Sequence, residues 1–301
     1  MTNKKQDLVE LDQLDEISRP YDLIPMINGF KIYGFKNDLV ADDIRENGIY
    51  EREFYEFLVS FLRTIDKPIC IDVGANIGNH TLTMAKYSHL VIAYEPIPFI
   101  FKLLKQTLNA NAIKNVVANN LGLSNVKEQP LININFEDNL GASSISCKNP
   151  SSKKIKIICE AGDKNLSQYA VNHVDLIKID VEGYETNVVL GLKETIKKNR
   201  PVVILEWNNQ ETRDGFTEHD IFNSVFYDYC ILPLFDNHER FRAKCRKTPI
   251  VKWFRKALKF FHKRLVQFKP ISSKFYYSED YQLIMLIPNE KRGLVNQVMN
   301  W

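Results

Sequence analysis

Two apolar runs flanking a glycine-punctuated turn constrain this chain more than any other feature. The first is Ile69-Cys70-Ile71-Asp72-Val73-Gly74-Ala75-Asn76-Ile77-Gly78-Asn79, and the second is Val91-Ile92-Ala93-Tyr94-Glu95-Pro96. Together they predict a buried strand, a tight turn, a helix, and a second buried strand that ends in a carboxylate. Glycine lets a backbone turn sharply and lets a ligand approach the main chain. A carboxylate at the tip of the following strand can accept both hydroxyls of a ribose. A nucleoside-containing cofactor is therefore the first expectation.

The turn also discriminates between nucleosides. Dinucleotide binding uses G-x-G-x-x-G, with glycines where the pyrophosphate crosses a helix N-terminus. Here the pattern is D-x-G-x-N-x-G, and Asp72 stands two residues before the first glycine. A carboxylate beside a pyrophosphate repels it, at a cost on the order of several kcal/mol at intermediate dielectric. S-adenosylmethionine carries an ammonium and a sulfonium and no phosphate, so the acid favours it over NAD.

The 301 residues are 45% apolar and 26% charged, as in ordinary globular proteins. The N-terminal residues lack the basic-then-apolar pattern of a secretory signal, and no apolar run is long enough to span a bilayer. Five scattered cysteines without a C-x-x-C pair fit reduced thiols better than disulfides or zinc. These features predict a cytoplasmic protein.

From residue 69 onward, strand and helix signals alternate. Strands are expected at 69–73, 90–95, near 115–119, 174–181, 201–206, 230–235 and 281–287. Helices are expected over 53–62, from about 78 to 86, from Pro98 through Leu108, up to about Lys198, and over about 218–228. Strand-like pieces at 130–136 and 154–159 interrupt the alternation. Repeated strand–helix units imply parallel strands joined by right-handed crossovers with helices on both faces. Two final strands without an intervening helix imply an antiparallel edge hairpin. The expected fold is an α/β doubly wound sheet of seven mostly parallel strands. Residues 1–50 are read as an N-terminal extension or lid, with a small hairpin around Phe30–Phe35. Residues 51–301 are read as one catalytic domain carrying a basic insertion at about 240–275.

Several motifs resemble the FkbM family of S-adenosylmethionine-dependent methyltransferases: IDVGANIGNHT (71–81), YEPIP (94–98), NLGLSN (120–125), GASSI (141–145), DLIKIDVEGYE (175–185) and ILEW (204–207). The resemblance covers roughly residues 45–235, and DLIKIDVEGYE is its most specific part. It implies a Rossmann-like class I methyltransferase sheet, one bound S-adenosylmethionine, and O-methylation of a hydroxyl on a sugar or polyketide. It also implies that Asp72, Gly74, Ala75, Asn76 and Gly78 hold the methionine half, that Glu95 takes the ribose, and that Pro96 or Ile97 braces the adenine. Asn120 and Leu121 are weaker adenine candidates.

A sugar hydroxyl is a poor nucleophile, so a positioned base is expected. Asp180 and Glu182, just past the strand beside the glycine turn, are the first candidates, with Glu206 at the end of the next strand as the third. Lys178 alternates onto the same face as Asp180 and can pair with it or with Glu206. No ligand spacing establishes a metal, although these three carboxylates could hold a divalent ion. His80, on the first helix, packs against the sheet or acts as a base. The loop Gly141–Ile145 frames either cofactor or acceptor, and Tyr50-Glu51 can lid the acceptor pocket.

Between Arg242 and Pro270 lie eleven Lys or Arg and no Asp or Glu, within a chain whose formal net charge is only +3. Phe254, Ala257, Leu258, Phe261, Leu265 and Phe268 form a helical stripe opposite the basic residues. That pattern suits an in-plane helix on an anionic membrane surface. Aromatics are not interleaved on its basic face, which argues against nucleic acid. The segment is expected to bring a cytosolic enzyme to the inner face of a membrane and to a lipid-linked or anionic glycan. The residues leave two other readings open. One is N- or carboxyl-methylation of a small metabolite. The other is a non-catalytic S-adenosylmethionine-binding module docked on membrane or nucleic acid.

Overall fold

The expected alternation is present, and its geometry follows from burial on both faces of one sheet. The computed structural model describes residues 20–134, 153–234, 275–276, 279 and 281–299. The loop 141–145 and the basic segment 242–270 lie outside the described residues.

Strands β1 (Tyr21–Pro25) and β2 (Lys31–Phe35) form an antiparallel hairpin, followed by helices α1 (Leu39–Asn47) and α2 (Arg52–Leu62). The strand–helix series then runs β3 (Ile69–Val73), α3 (Asn79–Tyr87), β4 (Leu90–Tyr94), α4 (Pro98–Ala110) and β5 (Val116–Asn119). Short strands β6 (Gly122–Ser124), β7 (Leu131–Ile134), β8 (Lys153–Lys156) and β9 (Cys159–Ala161) stand apart from the main sheet, paired β6 with β9 and β7 with β8. The series resumes with α5 (Gly162–Leu166), β10 (Leu176–Ile179), α6 (Glu185–Gly191), α7 (Lys193–Asn199) and β11 (Val202–Trp207). It continues through α8 (Gln210–Glu218), α9 (Ile221–Ser224), β12 (Tyr229–Leu234), β13 (Tyr281–Pro288) and α10 (Arg292–Met299).

Seven strands form the main sheet in the order β12-β13-β11-β10-β3-β4-β5. Strand β13 is antiparallel to both neighbours and the other pairings are parallel, so the reversed strand sits one place in from the edge. The order reverses between β3 and β10, and ligands collect beyond the carboxyl ends of strands at such a reversal.

Period-two alternation divides the central strands between two apolar layers. Cys70, Leu176, Val202 and Ile204 pack with α2, while Ile71, Val73, Ile177, Ile179, Val203 and Leu205 pack on the opposite face. Helix α2 forms because its apolar residues recur at helical spacing, and it buries Phe54, Phe57, Leu58, Phe61 and Leu62. Each such side chain stabilises the fold by about 1.5–3 kcal/mol relative to exposure. The hairpin is part of the same core: Ile24 and Ile32 cluster with Leu82, Ala93, Ile100 and Leu104.

Two elements differ from expectation: the helix expected up to about Lys198 is divided at Leu192 into α6 and α7, and the next helix is displaced. The helix expected over about 218–228 lies at Gln210–Glu218, with a separate turn at Ile221–Ser224. Asp220 adopts φ 47° and breaks the two apart. The earlier start places Phe216 edge-on against Trp207, with ring centroids 5.1 Å apart. Burial of that aromatic pair decides the register.

Candidate active site

The carboxyl ends of β3, β10 and β11 open into a cavity of about 250 Å³. Tyr50 and Glu51, with Gln282 and Leu283 of β13, also line it, and Gln282 meets Glu51 there.

The glycine turn forms its backbone wall. Gly74 and Ala75 N–H both donate to the Tyr94 carbonyl, at 3.0 and 2.9 Å, which pins the turn to β4. Gly74 has φ +80°, and a Cβ there would lie 1.8 Å from the Asp180 carbonyl oxygen. The main chains after β3 and β10 therefore touch, and only glycine fits between them. Glu95 extends this wall. It is 4% exposed, and its two oxygens accept from Asn76 N–H at 3.0 Å and Ile97 N–H at 2.9 Å. Burial raises its pKa to about 7, partly offset by those two donors.

A buried lysine organises the next layer. Lys178 is 3% exposed and stands beside Asp72 in the β10–β3 register. Its Nζ lies 3.1 Å from Asp180, 3.5 Å from Asp72 and 3.2 Å from the Gly74 carbonyl. Burial alone would lower its pKa, but Asp180 and Asp72 outweigh that and raise it. Thr81 donates to the other Asp72 oxygen at 2.6 Å. The expected Lys178–Asp180 pair is thus present, while the third partner is Asp72 rather than Glu206.

Beyond Lys178, Asp180, Glu182 and Glu206 each bring a carboxylate oxygen within 4.8 Å of the others. Crowding of like charge in a half-buried place disfavours ionisation. Burial and then the Asp180 and Glu185 charges raise Glu182 to about 8. Burial, Asp180 and Glu182 push Glu206 well above the ordinary carboxylate range. Glu182 has φ +54°. Its loop is held by Glu185, whose Oε1 accepts from Val181 N–H at 3.1 Å and Gly183 N–H at 3.2 Å. Three hard oxygen donors in this arrangement are the group among the described residues that could share a cation.

A second pairing also lines the cavity. His80 Nε2 lies 3.0 Å from Glu51 Oε2, and Gln282 Nε2 donates to Glu51 Oε1 at 3.0 Å. The Glu51 charge, followed by burial, raises the neighbouring Tyr50 phenol.

Of the residues singled out from sequence, Gly74, Ala75, Asn76, Glu95, Asp180, Glu182 and Glu206 line this one cavity. Gly78, at φ +101°, completes the turn and caps α3. Asp72, Pro96, Asn120 and Leu121 do not line this cavity. Asp72 is fully buried and committed to Thr81 and Lys178, so it acts through them. Asn120 donates to the carbonyls of Glu95 and Pro96, at 2.9 and 3.2 Å, and so braces the loop that carries Glu95. Sequence reasoning missed Asn208, Gln282 and Glu185. Glu185 stood in the quoted DVEGYE run, and its spacing two residues beyond Gly183 was the available signal. Nothing in the sequence marked Gln282.

Comparison with known proteins follows the same lines. The sequence model described as Methyltransferase FkbM domain matches residues 72–245, more than half of the chain. Methyltransferase 1 of Beauveria bassiana is 25% identical, over 43% of this chain and 60% of that protein. The hexuronic acid methyltransferase AglP of Haloferax volcanii is 28% identical, over 44% of this chain and 53% of that protein. The chain therefore spans only 53–60% of the length of these two relatives. Among solved structures, a methyltransferase FkbM from Methylobacillus flagellatus KT aligns with a TM-score of 0.39 at 15% identity, covering 64% of this chain and 56% of that one.

Proposed function

Since the chain belongs to the methyltransferase FkbM domain family, we propose that it transfers a methyl group from S-adenosylmethionine to a hydroxyl oxygen of a sugar, glycan or glycolipid. One observation carries the reading: the glycine turn with Glu95 and the carboxylates Asp180, Glu182 and Glu206 line a single cavity. The relative named for hexuronic acid supports a carbohydrate acceptor.

The residues present fit the cofactor. A Cβ at Gly74 would collide with the Asp180 carbonyl, so bare backbone forms the cradle. Glu95 offers lone pairs to two ribose hydroxyls while its remaining capacity is taken by backbone N–H groups. Carboxylates around the turn complement an ammonium and a sulfonium, as they would not a pyrophosphate. When bound, S-adenosylmethionine would supply a methyl carbon on a positively charged sulfur, which keeps the carbon–sulfur bonding pair as the methyl leaves and so becomes a neutral thioether.

This chain's residues then do two things. The turn and Glu95 fix the donor, and the cavity aligns the acceptor oxygen, a contribution of roughly 7–11 kcal/mol when orientation is complete. Asp180, aligned by Lys178 at 3.1 Å, accepts the hydroxyl proton as the oxygen–methyl bond forms. A positioned base supplies about a hundredfold or more. Asn208 and Gln282 on the wall can hydrogen-bond further acceptor hydroxyls.

The test is transfer of radiolabelled methyl from S-adenosylmethionine into glycan and glycolipid fractions. Asp180→Asn should keep S-adenosylhomocysteine binding and lose about a hundredfold or more in turnover. Retained turnover would remove Asp180 from its role, and label in no carbohydrate fraction would remove the acceptor class.

A further inference from the structure

The loop that carries Asp180 and Glu182 leaves β10 through two consecutive left-handed residues, Glu182 at φ +54° and Gly183 at φ +101°. A non-glycine residue persists in that region only where its surroundings over-determine it. Here the restraint comes from Glu185. Its Oε1 accepts from Val181 N–H at 3.1 Å and from Gly183 N–H at 3.2 Å, so one oxygen grips the chain on both sides of Glu182. Its Oε2 is hydrogen-bonded by Thr212 Oγ1 of α8. Glu185 and Thr212 are both 0% exposed, and neither lines the cavity. Donor and acceptor are out of their reach.

Helix α8 is itself docked closely behind the loop. A Cβ at Gly215 would stand 2.5 Å from Thr186 Oγ1 of α6, and that hydroxyl donates to the Thr212 carbonyl at 3.4 Å. The same end of α8 reaches the third carboxylate, since Glu206 accepts from the side chains of Asn208 and Asn209. Residues 208–212 thus hold Glu206 directly and hold loop 180–183 through Glu185.

We propose that Glu185 and Thr212 are positioning residues for methyl transfer, a buried strap from α8 that keeps Asp180 and Glu182 where the acceptor hydroxyl meets the donor methyl. The proposal rests on the methyl-transfer reading above and adds to it two residues that touch neither reactant. The strap works by shape, not by charge. Oε1 of Glu185 accepts both N–H groups whether or not the carboxyl carries a proton, and Oε2 and the Thr212 hydroxyl can share a hydrogen in either state. Glu185→Gln preserves the same bonds, with the amide oxygen taking the two backbone N–H groups and the amide N–H reaching the hydroxyl. A reacting group misplaced by about 1 Å can cost a hundredfold in rate, so a loosened loop is enough to stall the chemistry.

The experiment uses the full chain and reads loop and reaction separately. Hydrogen exchange at the Val181 and Gly183 amides, measured with S-adenosylhomocysteine bound, reports the strap without turnover. Thr212→Val keeps the side-chain shape and removes the hydroxyl, and should speed that exchange about tenfold or more. With tritiated S-adenosylmethionine and the glycan fraction that wild type labels, it should lower kcat about ten- to hundredfold. S-adenosylhomocysteine affinity should stay within about threefold, because the donor side keeps its own backbone bonds. Thr212→Ser restores the hydroxyl and should recover both slow exchange and turnover. Glu185→Gln should follow wild type in both readouts, and Glu185→Ala should follow Thr212→Val.

Unchanged exchange in Thr212→Val overturns the proposal, because no strap then exists. Faster exchange with an unchanged kcat overturns it too, reducing the strap to a contact of the fold. Lost S-adenosylhomocysteine binding in Thr212→Val does the same, since the effect would reach the whole site. A kcat as low in Glu185→Gln as in Glu185→Ala, with exchange still slow, would make Glu185 act by charge and reject the strap. If wild type binds S-adenosylhomocysteine but labels no glycan or glycolipid fraction, the carbohydrate reading fails and the positioning role fails with it.

Discussion

Glu95 and Glu182 line one cavity, the first buried and the second half-buried, and both are held well above their ordinary range. They got there differently. Glu95 is desolvated but caught by two backbone N–H groups from loops that must be where they are for the sheet to close. Glu182 is desolvated, crowded by Asp180 and Glu185, and sits at φ +54° on a loop held by someone else's carboxylate. The contrast separates a group built into the fold from a group stored in it at a cost. Backbone donors hold the Glu95 carboxylate in one place. The loop of Glu182 carries a positive φ and surplus charge, and both are features that accumulate where specificity and chemistry are decided.

Four experiments bear on that contrast. The largest effect is expected where the two ends are tied together. Lys178→Met leaves Asp72 buried without its cation and should lower stability by about 3–5 kcal/mol, read from the denaturant midpoint. A wild-type midpoint would mean that Asp72 is satisfied without Lys178. Gly74→Ala comes next. Its Cβ would meet the Asp180 carbonyl at 1.8 Å from a φ of +80°, so we expect a loss of about 3 kcal/mol together with loss of S-adenosylhomocysteine binding. Unchanged calorimetric binding would break the link between the turn and the donor site.

Glu95→Gln should weaken S-adenosylhomocysteine about ten- to hundredfold by titration calorimetry, since a charged acceptor of two hydroxyls becomes a neutral one. It should also lower the melting temperature, because an amide can accept from only one of the two backbone N–H groups with its oxygen. Glu182→Gln should do the reverse and raise stability by about 1 kcal/mol at alkaline pH, a shift of a few degrees. The sign follows from linkage. A carboxyl whose folded pKa is raised contributes stability that is complete below its unfolded pKa near 4.5 and is lost as pH rises through about 8. Wild type should therefore lose stability between those limits more steeply than Glu182→Gln. Parallel melting-temperature profiles would show that Glu182 is not crowded in the way its surroundings imply.

Among the described residues, no helix is long and apolar enough to cross a membrane. The free cysteines Cys70 and Cys159 are buried in the core and Cys230 is half-buried, so none of the three stands ready for a surface role.

Much of the donor side was legible because it is local. A strand, a glycine turn, a helix and a carboxylate-tipped strand are written in consecutive residues, and period-two and helical spacing reveal burial without a partner being known. Asp180, Glu182 and Glu206 could likewise be placed at strand ends, because parallel strands bring their carboxyl ends to one side. What local pattern could not supply was pairing across distance. Whether Lys178 meets Asp72 depends on the register of β10 against β3, and the full burial of Asp72 beside Lys178 and Thr81 is set by that register. Gln282 reaches Glu51 across 231 positions of sequence, because β13 inserts between β11 and β12 and delivers its first residues to the cavity. Charge follows the same division. Composition counts carboxylates, but only the folded arrangement decides which have a cation, which have backbone donors, and which are left to face the acceptor.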